Sequence, residues 1–250
     1  MTIPTSPSTP STPHQPPTAP PPLSPIDRAF LTGDPSAGQL ILVRHGQQEH
    51  PTNPSPIPSD WADPPLSELG RRQAEALADA LAGERVDVVY SSNLARAFDT
   101  GTAIASRHGL DPIVFPELRE VEFFRDLPPE ARVQDVLSEP MRRGMVERFV
   151  QERRWDVYPF SEGSAAFRAR VVTVIEGLLA MSECLHVVVA CHGGVINAFI
   201  GHILGLEEDM FFRPAHASVQ RLLVSGPRRV IHSLNETHHL SAIDPMLVTS

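Results

Sequence analysis

The sequence contains no lysine and only two cysteines. All 21 of its permanently basic residues are arginines, so every fixed positive charge is a planar guanidinium suited to carboxylate or phosphate. Cys184 and Cys191 alone cannot build a disulfide framework, which favours a reducing compartment. We therefore expect a cytoplasmic protein.

Long apolar runs and excess positive charge are also missing. The net charge of -9 disfavours nucleic acid and anionic membranes as partners. No apolar run is long enough to cross a bilayer, and the N-terminus lacks the basic and apolar regions of a signal peptide. With 250 residues, of which 41% are hydrophobic, the composition is that of a soluble globular protein with one sizeable core.

Proline is concentrated near the N-terminus. Residues 1–25 hold ten of the 26 prolines, together with many Ser and Thr residues, and such a segment cannot bury enough apolar surface to fold. We expect a disordered tail over residues 1–37 and one folded domain over residues 38–250. A polyproline II ligand for a partner domain is the alternative for the tail.

Strand-like and helix-like patterns alternate from residue 39 onward. Apolar runs predict strands at 39–43, 86–90 and 186–191, with a closing hairpin over 219–224 and 229–233. Helical periodicity predicts helices at about 66–82, 94–107, 131–154, 164–181 and 195–204. The alternation indicates an α/β three-layer sandwich, in which helices flank a mostly parallel central sheet, with a small helical cap insertion at about 121–160.

Polar residues follow the predicted strands at their carboxyl ends. The first strand runs into residues 44–46 (RHG), the second ends at residues 91–92 (SS), and the third runs into residues 192–194 (HGG). In open α/β sheets, ligands bind beyond the carboxyl ends of the strands. Two strands that both end in His-Gly therefore predict one site to which both histidines contribute.

Five segments in this order resemble the histidine phosphatase superfamily, in its phosphoglycerate-mutase-like branch. They are residues 44–46, 66–74, 91–97, 118–120 and 192–194. The resemblance extends from about residue 40 to residue 240. It implies a metal-independent phosphomonoester hydrolase that forms a phosphohistidine intermediate on a small phosphorylated metabolite, without a cofactor.

In this resemblance His45 is the nucleophile, because a neutral imidazole is nucleophilic near pH 7. Its other ring nitrogen donates to nearby backbone, which Gly46 allows to approach closely. Arg44 and Arg96 clamp the phosphate. Arg96 also lies in the first turn of a predicted helix, where a cation opposes the helix dipole unless an anion binds there.

The remaining catalytic candidates follow from the later motifs. His192 stabilises the charge of the transferring phosphoryl group, and Gly193, like Gly46, is a phosphate-binding candidate. Glu120 is the expected general acid and base, and a nearby phosphate dianion should raise the pKa of such a carboxyl group. Glu122 is the alternative, because in an extended stretch it faces the same side.

The sequence departs from the family pattern in three places. Gln48 lies where many members have Thr or Ser, and His50 where many have an Asn that contacts phosphate. Gln47 and Gln48, together with Glu122, are possible substrate-binding residues. Phe123 and Phe124 lie where members that act on small phosphoesters often have Gly, which indicates a different pocket.

The aromatic residues after position 120 allow two interpretations. Phe123, Phe124, Trp155 and Tyr158 either line an apolar wall of the substrate pocket or pack beneath the cap helix. The cap segment carries seven arginines and eight acidic residues. Because these charges nearly balance, they do not indicate a strongly anionic substrate.

Other activities remain as alternatives. Cys191 precedes a Gly-rich turn as in cysteine phosphatases, but the residue six positions later is Asn197 rather than Arg, so a buried thiol is expected. A phosphoglycerate-type mutase usually carries a longer C-terminal tail than residues 241–250. A non-catalytic domain that binds phospho-ligands or partner proteins would be expected to lose some of the catalytic residues.

No metal is expected, and the oligomeric state stays open, with a homodimer among the alternatives.

Overall fold

Ordered structure begins before the predicted domain boundary. The computed structural model describes residues 22–50, 62–128, 130–182 and 185–243. Helix α1 spans Pro25–Phe30, with the Ser24 hydroxyl accepting the Asp27 N–H as its N-cap and Pro in its first turn. Leu31, which follows, is buried. The predicted tail over residues 1–37 thus includes this helix within its described part, while residues 1–21 lie outside the described residues and their disorder stays a prediction.

A six-stranded mixed sheet in the order β3-β2-β4-β1-β5-β6 forms the centre of the fold. Its strands are β1 Gly38–Arg44, β2 Val88–Ser91, β3 Ile113–Val114, β4 His186–Cys191, β5 Val219–Ser225 and β6 Arg228–Glu236. The first four strands are parallel, while β5 and β6 add an antiparallel hairpin at the β1 edge. The core strands β1 and β4 are covered on both faces, which explains their continuous apolar runs.

Helices cover both faces of this sheet. They are α2 Glu68–Leu81, α3 Ala95–Arg107, α4 Val133–Val136, α5 Glu139–Glu152, α6 Ser164–Met181 and α7 Gly193–Leu204, with 3-10 turns at Pro116–Leu118, Trp155–Val157 and His238–Leu240. Successive β1 side chains divide between the two layers. Leu40 and Leu42 belong to the core with α6 and α7, while Ile41 and Val43 belong to the core with α2 and α3. The predicted α/β architecture is thus confirmed.

The segment over residues 121–160 contains two helices instead of the single helix predicted over 131–154. Helix α4 ends at Val136, and Leu137 is extended and 2% exposed. Helix α5 then starts with Pro140 in its first turn, because proline fits a first turn but would disrupt a continuous helix. Within the described residues, no helix combines the length and the apolarity needed to cross a membrane.

An aromatic cluster packs beneath α5. The ring centroid of Phe123 lies 5.4 Å from that of Trp155 and 4.9 Å from that of Tyr158, and Phe149 of α5 stacks on Trp155 at 5.0 Å. Edge-to-face and stacked pairs at such distances stabilise a core beyond the area they bury. Of the two interpretations given to these aromatic residues, packing beneath the cap helix therefore describes Phe123, Trp155 and Tyr158.

Candidate active site

His45 lies at the carboxyl end of β1 and is 3% exposed. Its Nδ1 is 2.7 Å from the Gly46 carbonyl oxygen, so Nδ1–H donates there and Nε2 keeps the lone pair that a nucleophile needs. The chain is crowded at this point, since a Cβ on Gly46 would lie 2.3 Å from the Gly70 carbonyl oxygen. Both the tautomer and the need for glycine follow from this local backbone.

The two peptide groups of Gly46 are engaged within the protein. Its carbonyl accepts from His45, and its N–H donates to Thr100 Oγ1 at 3.2 Å. Phosphate binding by the Gly46 N–H, which stays a prediction, would compete with this contact. The glycine also lets the β1 terminus approach α2.

Two buried guanidinium groups lie beside His45. Arg96, in the first turn of α3, directs Nε at His45 Nε2 from 3.3 Å, and its Nη1 is buried without a hydrogen-bond partner among the described residues. Asp63 Oδ1 is 3.6 Å from that nitrogen, too far for a hydrogen bond. Arg44 Nη1 donates to the Pro214 carbonyl at 2.6 Å, while Arg44 Nε has no partner in the same described part of the chain.

The second histidine faces the first. His192 is fully buried, and its ring centroid lies 5.1 Å from that of His45. Its Nε2 is 2.9 Å from Ser92 Oγ at the end of β2, and its Nδ1 is buried and unpaired in the described ranges. The structure thus brings together the carboxyl ends of β1, β2 and β4, as the strand-end argument predicted.

Burial and neighbouring cations keep these histidines neutral. Burial lowers the pKa of His45 well below its ordinary value, and His192, Arg96 and Arg44 lower it further. Burial likewise lowers the pKa of His192, with Arg96 and Arg44 adding to the effect. Burial also lowers the pKa of Arg44, to about 10, so this guanidinium remains charged at neutral pH. The site therefore combines neutral imidazoles with cationic guanidiniums.

Glu120 closes the site from the loop after the Pro116–Leu118 turn. Its Oε2 accepts the Gly194 N–H at 3.1 Å, and its Oε1 accepts the Val121 N–H at 3.0 Å. A Cβ on Gly194 would lie 2.3 Å from Oε1, so the carboxylate can approach α7 only because this residue is glycine. Gly193, which precedes it, lies instead beside Arg44 Nε.

The other candidates have partners of their own. Glu122 pairs with Arg119, Oε1 to Nε at 3.1 Å, which favours Glu120 as the acid. Gln47 Oε1 accepts from Ser67 Oγ at 2.8 Å, so this side chain is held by the N-cap of α2. Gln48 forms an antiparallel bridge with Leu66. A substrate-binding role for Glu122 and Gln47 would compete with these contacts.

Sequence reasoning missed His216. Its ring centroid is 5.7 Å from that of His45, and it lies on a loop that precedes β5 and contains no family motif.

Cys191 is fully buried, and burial raises the pKa of its thiol, so the reactive thiolate is disfavoured. The described residues contain no group of three or more His, Cys, Asp or Glu that could hold a metal ion.

A neutral imidazole among buried guanidinium groups, at the carboxyl edge of an α/β sheet, defines a phosphoryl-transfer site. The model of the histidine phosphatase superfamily (branch 1) matches residues 40–237. The chain belongs to this family, and it is a histidine-type phosphatase. The family, the fold and the enzyme class predicted from the motifs are confirmed.

Relatives with named activities cover most of the chain. Phosphoserine phosphatase 1 of Hydrogenobacter thermophilus is 32% identical over 204 residues, which cover 81% of this chain and 94% of that protein. The probable phosphoglycerate mutase GpmB of Proteus mirabilis is 26% identical over 214 residues, which cover 82% and 96%. Among solved structures, a mycobacterial glucosyl-3-phosphoglycerate phosphatase in complex with VO3 has 27% identity and a TM-score of 0.62, covering 80% of this chain and all of that one.

Proposed function

We propose that this phosphatase hydrolyses small phosphomonoesters through a phosphohistidine on His45. The observation that carries the proposal is a set of three buried nitrogens that have no hydrogen-bond partner among the described residues: Arg44 Nε, Arg96 Nη1 and His192 Nδ1. Each unpaired buried polar group costs about 1–3 kcal/mol. A phosphoryl group, with several acceptor oxygens and negative charge, would satisfy all three.

In the first step His45 Nε2 attacks phosphorus. The P–N bond forms as the bond to the leaving oxygen breaks, and Glu120 in its protonated form gives that oxygen its proton. Arg44, Arg96 and His192 hold the equatorial oxygens, where the transition-state charge develops. Nδ1–H of His45 remains on the Gly46 carbonyl, which orients the ring throughout.

In the second step water attacks the phosphohistidine. The Glu120 carboxylate takes a proton from this water, the P–N bond breaks with its electron pair returning to Nε2, and inorganic phosphate leaves. The proton lost by Glu120 in the first step is thereby recovered. The net reaction consumes one water and yields an alcohol and phosphate.

The substrate we infer is a small phosphorylated metabolite, because relatives bear the names phosphoserine phosphatase and glucosyl-3-phosphoglycerate phosphatase. A phosphoglycerate-type mutase is the second candidate, supported by the likeness to the probable mutase GpmB. A mutase would return the phosphoryl group from His45 to a second hydroxyl. The short tail that argued against this activity falls mostly on residues 244–250, outside the described residues, and stays a prediction.

The test is hydrolysis of p-nitrophenyl phosphate and of O-phosphoserine in the presence of EDTA. We expect wild type to be active and His45→Ala to lose at least about a thousandfold in kcat, because removing the nucleophile removes the covalent route. His202→Ala, which removes an exposed histidine near the end of α7, is the matched control and should retain activity. Full activity in His45→Ala, or no hydrolysis of any phosphomonoester by wild type, would contradict the proposal. In an incubation with 3-phosphoglycerate and an acceptor phosphoester, a mutase would transfer the phosphoryl group to a hydroxyl of the acceptor, whereas a phosphatase would release inorganic phosphate.

A further inference from the structure

We propose that His216 is a third imidazole of the phosphate site and donates a hydrogen bond to the phosphoryl group of the substrate. The proposal rests on the phosphatase activity of His45 argued above, and it assigns a role to a residue outside the family motifs. Three observations support it: the position of the ring, the backbone that holds it, and the charges around it.

The ring of His216 lies beside the nucleophile. Its centroid is 5.7 Å from that of His45, at an interplanar angle of 50°, while His192 lies 5.1 Å from the same ring at 59°. A phosphoryl group on His45 Nε2 spans a few ångströms, so neighbours at such distances are within reach of its oxygens. Among the described residues, His45 thus has two imidazole neighbours at ring-contact distance, of which the family motifs supply one.

The backbone next to His216 is held in an unfavourable conformation. Ala217 is fully buried and has a φ of 54°, a left-handed value that costs a non-glycine residue about 1–2 kcal/mol. Its N–H donates to the His45 carbonyl at 3.1 Å, and its carbonyl lies 2.9 Å from His239 Nε2. Such conformations persist where surrounding contacts enforce them, and they cluster at functional sites.

The other side of His216 is also fixed. Arg44, which clamps the phosphate in the proposed mechanism, donates from Nη1 to the Pro214 carbonyl at 2.6 Å. Ala215 N–H donates to Asn235 Oδ1 at 2.8 Å. The loop is therefore attached on one side to the nucleophile and on the other to a phosphate-binding arginine. Such attachment fixes the imidazole between them relative to the reacting atoms.

The charge state of His216 suits hydrogen bonding to an anion. Burial lowers its pKa to about 3, and Arg44, Arg213 and His50 contribute to the lowering. A neutral imidazole has one N–H donor, so it can bind a phosphoryl oxygen without repelling the adjacent guanidiniums. Its role would be to position the phosphoryl group and stabilise its charge.

The test compares wild type with His216→Ala and His216→Asn. For each protein we would measure kcat and KM for p-nitrophenyl phosphate, the inhibition constant of orthovanadate, the dissociation constant of inorganic phosphate and the Tm. We expect His216→Ala to weaken orthovanadate and phosphate binding by about 10- to 100-fold, as for one hydrogen bond to a charged group. His216→Asn retains an N–H donor and should recover part of this loss. His202→Ala serves as the control and should bind both anions like wild type.

Each outcome bears on the proposal. If His216→Ala binds both anions as wild type does, the proposal is overturned. If His216→Ala is too unstable to assay, His216→Val and His216→Asn are compared: weaker binding of phosphate and orthovanadate by His216→Val than by His216→Asn supports a donor role, whereas equal affinities in the two variants overturn it. Phosphate binding also separates the two proposals. Wild type that binds phosphate through His216 but hydrolyses nothing would overturn the proposed function alone.

Discussion

Glu120, in the loop that follows the Pro116–Leu118 turn, contacts Gly194 in the first turn of α7, and its Oε2 accepts the Gly194 N–H at 3.1 Å. The contact depends on the missing side chain, because a Cβ would lie 2.3 Å from Oε1 and 3.2 Å from the ring of Phe167. The second glycine of the HGG segment therefore makes room for the carboxylate that we propose as the general acid.

We therefore expect Gly194→Ala to displace the Glu120 carboxylate and to lower kcat by about 10²-fold or more, the scale of general acid–base catalysis. KM should change much less, because the guanidinium clamp is not moved. Gly177→Ala is the matched control, since nothing lies within 4 Å of a Cβ there and alanine in a helix is more stable than glycine by about 0.5–1 kcal/mol. Steady-state kinetics and thermal unfolding of both variants check the prediction. Wild-type kcat in Gly194→Ala would show that the carboxylate position does not matter.

Glu120 is the proposed general acid, with Glu122 as the alternative, and substitutions of the two residues distinguish them. Glu120→Gln should lower kcat by about 10²- to 10⁴-fold on an alkyl phosphate such as O-phosphoserine. The loss should be smaller on p-nitrophenyl phosphate, because its leaving group needs little protonation. Glu122→Gln weakens a half-exposed pair with Arg119 and should leave kcat nearly unchanged. Equal losses on the two substrates in Glu120→Gln would argue against its role as an acid.

The parts of the fold that the sequence predicted are those with a strong local signal. Strands β1 and β4 were recognised because both of their faces are buried, and α6 because its apolar residues repeat at helical spacing. Strand β3 has only two residues, both exposed, so it left no pattern. The break between α4 and α5 depends on the burial of Leu137, a tertiary contact that periodicity does not register.

The candidate site residues also divide into those with a local sequence signal and one without it. His45 and His192 were found because each follows a strand directly, and the strand ends meet at one edge of the sheet. His216 was missed because its position depends on the antiparallel pairing of β5 with β1, in which Val219 lies opposite Val43, and on the left-handed backbone at Ala217. Neither feature has a signature within a few residues of His216.

Arg170 holds the loop that carries Glu120. Its Nη1 donates to the carbonyls of Glu117 at 2.6 Å and Arg119 at 3.0 Å, and its charge is paired with the buried carboxylate of Glu162. Arg170→Met should therefore reduce kcat by loosening Glu120, and it should also lower the Tm, because an unpaired buried carboxylate costs about 3–5 kcal/mol.

A second variant separates these two effects. Adding Glu162→Gln to Arg170→Met removes the unpaired charge, so the double variant should regain much of the lost Tm while kcat stays low. Thermal unfolding and kcat on O-phosphoserine, measured on the same preparations, check this. If kcat returns together with the Tm, Arg170 stabilises the fold without positioning Glu120.

Buried neutral histidines also make folding stability depend on pH. Burial lowers the pKa of His45, His192, His216 and His239 in the folded protein, whereas the unfolded chain takes up protons at about pH 6.5. Below that pH the unfolded state binds more protons than the folded state, so the free energy of unfolding must fall as the pH falls. For His216 this loss continues down to its folded-state pKa of about 3.

Each such histidine contributes a slope of up to about 1.4 kcal/mol per pH unit below pH 6. Urea unfolding at intervals between pH 7.5 and pH 5 should show stability constant at the upper end and decreasing toward the lower end. His216→Asn removes one titrating group and should make the decrease less steep. A free energy of unfolding that rises as the pH falls from 7 to 5 would mean that these imidazoles are charged in the folded protein.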